Sequence, residues 1–236
     1  MKGEKMYKWH NVFQPIFQID QNMNHKVDHY EMLLRDENDQ FPNHDFFRII
    51  STEEDNQKWI QIEEKSLKNL FSLHPNIHVN LNVEPIQFAY PSVWEFLRRI
   101  YDKYGQKVII EITERQLQAG NIGNRQFDCA FQRINDIGFK IALDDVDSGS
   151  NSFSFVNHHV NQISVIKLSL LIFDNVSSGT TISFIDSWAA FAKEKHLDLV
   201  IEAVRSKEIA KRFAGNKHIF QQGYYWEKAL KLEDIY

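Results

Sequence analysis

Polar residues that have no place in a core interrupt or end the apolar runs of this chain: Glu31, Asn80, Glu111, Asp144 with Asp145, Lys167, Glu202 and Gln222. Their successive separations are 49, 31, 33, 23, 35 and 20 residues, the scale of one strand-plus-helix unit each. In "VIIEITE" the side chains of Ile110 and Ile112 point to one face of a strand and Glu111 to the other. A buried acid is costly unless it is paired or bound to a cation. Adjacent carboxylates such as Asp144 and Asp145 repel each other unless positive charge sits between them. A set of carboxylates, an amide and a lysine, with no thiolate and no obvious histidine, suits hard divalent cations such as Mg²⁺ or Mn²⁺. The chemistry would be that of a metal-dependent hydrolase or lyase. The competing reading takes each acid as a strand-end cap or a surface residue, which serves for one of them better than for all together.

The elements that must position these groups are legible as an alternation of short apolar runs and amphipathic helices. The clearest helix is "SVWEFLRRIYDKYG", where Val93, Phe96, Leu97, Ile100, Tyr101 and Tyr104 fall on one face. Ser92 and Glu95 form a capping-box pattern at its start, and Gly105 stands where a terminating glycine belongs. Strands are expected at "NIHVNLN", "KVIIEIT", "FKIALD", "QISVIKL", "LDLVIEAV" and "HIFQQ". Repeated strand–helix units imply a parallel sheet. Seven or eight of them fit a closed (β/α)8 barrel, whose strand C-termini converge on one mouth. No strand leads into GxGxxG, the main sign of a dinucleotide fold. The opening runs, "NVFQPIFQID" and "KVDHYEMLLR", are too close for a crossover helix and read as a hairpin. The expected fold is therefore α/β, a modified TIM barrel with an irregular, partly antiparallel first strand.

A composition of 43% hydrophobic and 25% charged residues is that of an ordinary core-forming chain. No linker-like tract divides the 236 residues, so one domain over 1–236 is expected. A net charge of -5 gives no footprint for a nucleic-acid polymer. The most apolar stretch, Ile163 to Phe173, is far too short to span a bilayer, so no membrane association is expected. Cys129 is the single cysteine, which excludes an intrachain disulfide and a thiolate metal site. A cytoplasmic protein is the simplest reading.

Eight segments, in order along nearly the whole chain, resemble the signatures of the EAL-domain phosphodiesterases, which hydrolyse the bacterial second messenger cyclic di-GMP. They are "FQPIF", "YEMLLR", "VNLN", "EITE", "ALDDVDSG", "VIKLS", "IEAVR" and "QQGYYW". The resemblance implies a modified TIM barrel and hydrolysis of one phosphodiester of cyclic di-GMP, giving linear pGpG. It implies two divalent cations, Mg²⁺ or Mn²⁺, held by Glu31, Asn80, Glu111, Asp144 and Asp145. It gives Lys167 the role of holding the attacking water, Glu202 that of a ligand and general base, and Gln222 that of orienting the network. Glu114 would anchor the loop after the paired aspartates, and Gln14 and Arg35 would contact the ligand. A homodimer is a further candidate partner; Trp188, Phe191 and their neighbours read as helix packing, with an exposed face there as the alternative, a dimer contact.

The resemblance is least regular just after Asp145. Val146, Asp147 and Ser148 stand where the family has Phe, Gly and Thr; Met32 replaces Ala, Ser169 an Asp and Arg205 an acid. An aspartate in place of glycine restricts the backbone and adds charge. Two outcomes therefore follow from the same residues: an active phosphodiesterase, or a catalytically weak or inactive EAL module acting as a cyclic di-GMP receptor or protein-interaction module.

Overall fold

The opening hairpin is the irregular part of an otherwise parallel barrel. Strand β1 (His10–Ile19) turns back through Asp20–Asn24 into β2 (His25–Arg35). The turn is tied by Asp20, whose Oδ1 accepts the backbone N–H groups of Asn22 and Asn24, both at 2.8 Å. Such a side-chain-to-backbone turn is what Asp favours. The computed structural model describes residues 7–113, 124–149 and 151–236.

The chain then runs through α1 (Asn43–Ile49), α2 (Glu53–Leu73), β3 (Val79–Val83), α3 (Pro91–Tyr104), β4 (Val108–Ile112) and α4 (Asn124–Ile137). It continues through β5 (Lys140–Leu143), α5 (Phe153–His158), β6 (Val165–Ser169) and α6 (Ser178–Lys195). It closes with β7 (Asp198–Glu202), α7 (Lys207–Arg212) and β8 (Ile219–Gln221). The strands form a closed barrel in sequence order. β1 is antiparallel to both β2 and β8, and every other neighbouring pair is parallel. This is the expected TIM-like architecture with its antiparallel first strand.

Two separate apolar clusters show where the barrel wall lies. Ile110, Ile112, Ile141, Leu143, Ile166, Leu168, Leu199 and Ile201 belong to the large cluster that also takes in the helices. Ile16, Ile109, Ala142, Val165, Val200 and Phe220 form a second, small cluster. The residues of the second set alternate along the strands with those of the first, so they fill the barrel interior.

Helix starts follow side-chain caps at Thr52, Ser152, Ser177 and Ser206. The capping box expected at Ser92 and Glu95 does not form. α3 begins at Pro91, its cap residue Tyr90 makes no side-chain cap bond, and Ser92 lies inside the first turn. Proline at the first helical position, with its fixed φ and missing N–H, sets the start instead. The N–H of Ser92 donates to Glu53 Oε1 at 3.1 Å.

One buried acid lies away from the mouth. Glu63 of α2 is 3% exposed, and its Oε2 accepts from Asn11 Nδ2 of β1 at 2.7 Å. Burial pushes its pKa up from 4.5 to about 8. Between those values the unfolded chain has lost this proton and the folded chain keeps it, so stability falls as pH rises. Glu63→Gln keeps the shape without the charge. It is expected to remove this slope and to stabilise the protein by on the order of 3 kcal/mol at pH 8. Urea melts at pH 5 and pH 8 check this; parallel pH dependences in the two proteins would contradict it.

Candidate active site

The polar residues of the mouth sit two positions beyond the interior apolar layer. Ile109 leads to Glu111, Ala142 to Asp144, Val165 to Lys167, Val200 to Glu202 and Phe220 to Gln222. Strand alternation puts each pair on the same inner face. β1 runs the other way, so Gln14 lies beyond Ile16, in register with Glu31 of β2. Glu31 is in turn in register with Asn80 of β3. A hydrophobic plug thus floors a layer of charge at the C-terminal ends of the parallel strands.

Lys167 is the centre of that layer. It is fully buried, and its Nζ lies 3.1 Å from Glu31 Oε2, 2.5 Å from Glu111 Oε1, 3.2 Å from Asp144 Oδ1 and 2.7 Å from Glu202 Oε1. Burial opposes its charge, but the surrounding carboxylates outweigh burial and hold its pKa well above the ordinary lysine value. One ammonium cannot balance four carboxylates. Burial and mutual repulsion push Glu111 and Glu202 well above the ordinary carboxylate range and Asp144 up to about 6. Glu31 goes the other way. Burial raises its pKa, but Lys167, Gln222 and Asn82 together overcome this and lower it.

Amide side chains aim the acids. Gln222 Nε2 donates to Glu31 Oε2 at 2.8 Å, and Asn80 Nδ2 donates to Glu111 Oε2 at 2.7 Å. Asn82 Nδ2 reaches Glu31 Oε1 at 3.1 Å and the carbonyl of Met32 at 3.3 Å. Asn82 shares the inner face with Asn80 two residues on, a signal the sequence carries. Its partner is visible only once the strands are in register.

The loop after β5 takes its shape from its own hydrogen bonds. Asp145, Asp147 and Gly149 all have positive φ, at 44°, 69° and 48°. Asp147, which stands where the resemblance places a glycine, therefore adopts a left-handed conformation, one of the few side chains to do so readily. Asn151, 2% exposed, clamps the turn. Its Nδ2 donates to the carbonyl of Asp144 at 2.6 Å, its N–H to that of Ser148 at 2.9 Å, and its carbonyl accepts from Asp147 N–H at 2.8 Å. Val146 fills the space beneath, fully buried, with its N–H donating to the Lys167 carbonyl at 2.9 Å. Asn151→Ala is expected to loosen this loop and cost about 1–3 kcal/mol, the penalty of unpairing buried polar groups. Thermal melts check it, and an unchanged melting point would contradict the clamp.

On the β8 side, Gly223 has φ 146°, and a Cβ there would lie 2.3 Å from Val204 N. No side chain fits, and Gln222 is thereby held against the turn that follows Glu202.

Seven sequence-predicted groups, Glu31, Asn80, Glu111, Asp144, Lys167, Glu202 and Gln222, form one bonded cluster. Asp145 joins its edge: ligand oxygens of Asp144, Asp145 and Glu202 lie within 4.8 Å of one another. Arg35 is half-buried on the same face of β2 as Glu31, whose charge helps offset the burial that lowers its pKa. Its Nη1 donates to the carbonyl of Leu34 at 2.8 Å. Glu114 lies outside the described residues. The donor set fits hard divalent cations. Besides the close trio of carboxylates, Asn80 Oδ1 and Gln222 Oε1 are buried oxygens without hydrogen-bond partners, and an unpartnered buried acceptor is costly unless something binds it.

An eight-stranded α/β barrel with an acid-crowded mouth and a buried lysine is the class these observations define. Residues 7–229 match the EAL domain family model, and the chain belongs to that family. Two curated relatives are a cyclic di-GMP phosphodiesterase, PdeA, of Borreliella burgdorferi and a probable one, PdeG, of Escherichia coli. The first is 26% identical over 92% of this chain and 33% of its own length. The second is 25% identical over 69% of this chain and 32% of its own length. The chain thus spans about a third of the length of these relatives. Among solved structures, the manganese and cyclic di-GMP complex of Klebsiella pneumoniae BlrP1 superposes with TM-score 0.75 at 19% identity, over 98% of this chain and 57% of that one. The EAL enzyme Bd1971, in a cAMP-bound form, superposes with TM-score 0.74 at 20% identity, over 96% and 64% of the respective chains. At these identities the likeness establishes the barrel fold. Among the described residues, no helix is long and apolar enough to cross a membrane.

Proposed function

We propose that residues 1–236 work as one EAL-type barrel domain that hydrolyses one phosphodiester of cyclic di-GMP to linear pGpG in the bacterial cytoplasm. The observation that carries this reading is the excess of carboxylate around Lys167 at the barrel mouth. Family membership and the relatives' names support the substrate.

Glu31, Asn80, Glu111, Asp144 and Asp145 would hold two divalent cations, Mg²⁺ or Mn²⁺. When bound, such cations neutralise phosphoryl charge and make the attacking water more acidic. The chain's own residues do the rest. Glu202, whose oxygen lies 2.7 Å from Lys167 Nζ, accepts the proton of the attacking water. The water oxygen bonds to phosphorus, the P–O3′ bond breaks, and the released 3′ oxygen takes up a proton. Lys167 keeps a fixed positive charge beside the developing negative charge. Gln222 and Asn82 hold the Glu31 carboxylate in place through its two oxygens. Gln14 and Arg35, at the rim, contact the ligand, and the resemblance gives Glu114 the role of anchoring the loop after the paired aspartates. The aromatic face of α5 and α6, where the exposed Phe153 meets Trp188 edge-on at 5.6 Å and Phe191 at a tilt at 5.0 Å between ring centroids, is the surface for a homodimer.

The test is product identity. Purified protein with cyclic di-GMP and Mn²⁺ in ¹⁸O-water should yield pGpG with the label in its 5′-phosphate. Tight binding of intact cyclic di-GMP without product would instead support the receptor reading.

A further inference from the structure

A second cluster of ligand-type side chains lies outside the barrel mouth, between α4 and the end of α5. His158 is the last residue of α5 and His159 its C-cap, while Asp128 projects from α4. His158 Nε2 is 3.3 Å from Asp128 Oδ1, and His159 Nδ1 is 3.5 Å from the same oxygen. One ligand atom from each of the three lies within 4.8 Å of the others.

Those separations fit a tetrahedral edge. Zinc-class cations hold imidazole nitrogen and carboxylate oxygen at about 2.0–2.2 Å, which places two ligands at a tetrahedral angle roughly 3.3–3.6 Å apart. His159 is fully buried, with its ring 4.7 Å from Phe131 and 4.4 Å from Phe155, centroid to centroid. Its Nε2 is buried without a hydrogen-bond partner, so the ring's polar attachments run through Nδ1, toward Asp128 and Gln162. Burial lowers the pKa of His159, which keeps the ring neutral and able to ligate. The His158 side chain is 54% exposed and opens the cluster to solvent. Gln162 Oε1, 2.9 Å from His159 Nδ1, accepts the Nδ1–H of the metal-free ring, a proton the cation displaces when it binds.

We propose that Asp128, His158 and His159 bind one transition-metal cation of the zinc class, separate from the oxygen-rich mouth. Two imidazoles and one carboxylate select such a cation over Mg²⁺ or Mn²⁺. The site ties the end of α5 to α4. α5 begins at its cap Ser152, directly after the loop that carries the paired aspartates, so the cation fixes the far end of that segment.

Co²⁺ titration of the full, chelator-stripped chain in excess Mg²⁺ tests this. One equivalent is expected to give the intense visible absorption of four-coordinate Co²⁺ with nitrogen ligands. Losing an outer-shell partner already costs about 10–100-fold in metal affinity, so His158→Ala or Asp128→Asn is expected to weaken binding by more than about tenfold. Both side chains reach solvent, and circular dichroism checks that the variants keep the fold. The band should persist in Glu111→Gln and in His44→Ala, which removes an exposed histidine elsewhere. Three results would overturn the proposal: no such band in the wild-type protein, an unchanged band in His158→Ala, or loss of the band in Glu111→Gln.

Discussion

Lys167→Met is expected to lose more than about a hundredfold in cyclic di-GMP hydrolysis, the cost of removing one preorganised group from a site of developing charge. It is also expected to destabilise the metal-free protein by about 3–5 kcal/mol at neutral pH, since it deletes the buried cation and leaves its partners behind. The residue is fully buried against Glu31, Glu111, Asp144 and Glu202. Without it these carboxylates can escape mutual repulsion only by protonation. Asp144 already titrates near 6 with the lysine present, above its ordinary 3.8. For an acid with a raised folded pKa, stability is lost as pH rises through the window between the two values. The variant should therefore be closest to wild type at pH 5 and furthest from it at pH 8. Thermal melts at both values, with and without Mn²⁺, check this. Mn²⁺ should raise the melting point of the variant more than that of the wild type, because it replaces missing positive charge. Equal melting points across this pH range would refute the central place given to Lys167.

Glu111→Gln should separate stability from activity. Burial and the neighbouring acids hold the Glu111 carboxyl well above its ordinary pKa, despite Lys167. A neutral amide of the same shape therefore costs the metal-free fold little, and the variant should melt at or above the wild-type temperature. The same change removes one of the acids proposed to hold the cations. Turnover should fall by more than about a hundredfold, beyond what loss of an outer-shell partner produces. The stabilisation given by saturating metal, about 2.7 kcal/mol at a hundred times Kd, should largely disappear. Melting curves over a Mn²⁺ series, read beside turnover, measure both. A variant that keeps its metal-induced shift would remove Glu111 from the ligand set.

The sequence made the mouth legible because its residues break a rule: each acid or amide interrupts a run that should be apolar. The antiparallel start was readable for a similar reason, since the few residues from Asp20 to Asn24 cannot hold a crossover. What the sequence hid depends on register. Asn82 reaches Glu31 from 51 positions away, through the pairing of β2 with β3. The meeting of Lys167 with four acids from other strands depends likewise on barrel closure. Asn151 reads as one more polar loop residue, although it is the clamp that lets Asp147 replace glycine. The start of α3 is masked in the sequence because Ser92 and Glu95 have the spacing of a cap, while Pro91 before them sets the first turn. The Asp128, His158 and His159 cluster is hidden in the same way, Asp128 lying about thirty residues before the two adjacent histidines.

The most direct test of the account is metal reconstitution of chelator-stripped protein, followed by the formation of pGpG from cyclic di-GMP. The account predicts no product in the stripped protein, and activity that returns with added Mn²⁺ or Mg²⁺ and saturates once the mouth is filled. Full activity in the presence of chelator, or bound cyclic di-GMP left intact at every metal concentration, would contradict it.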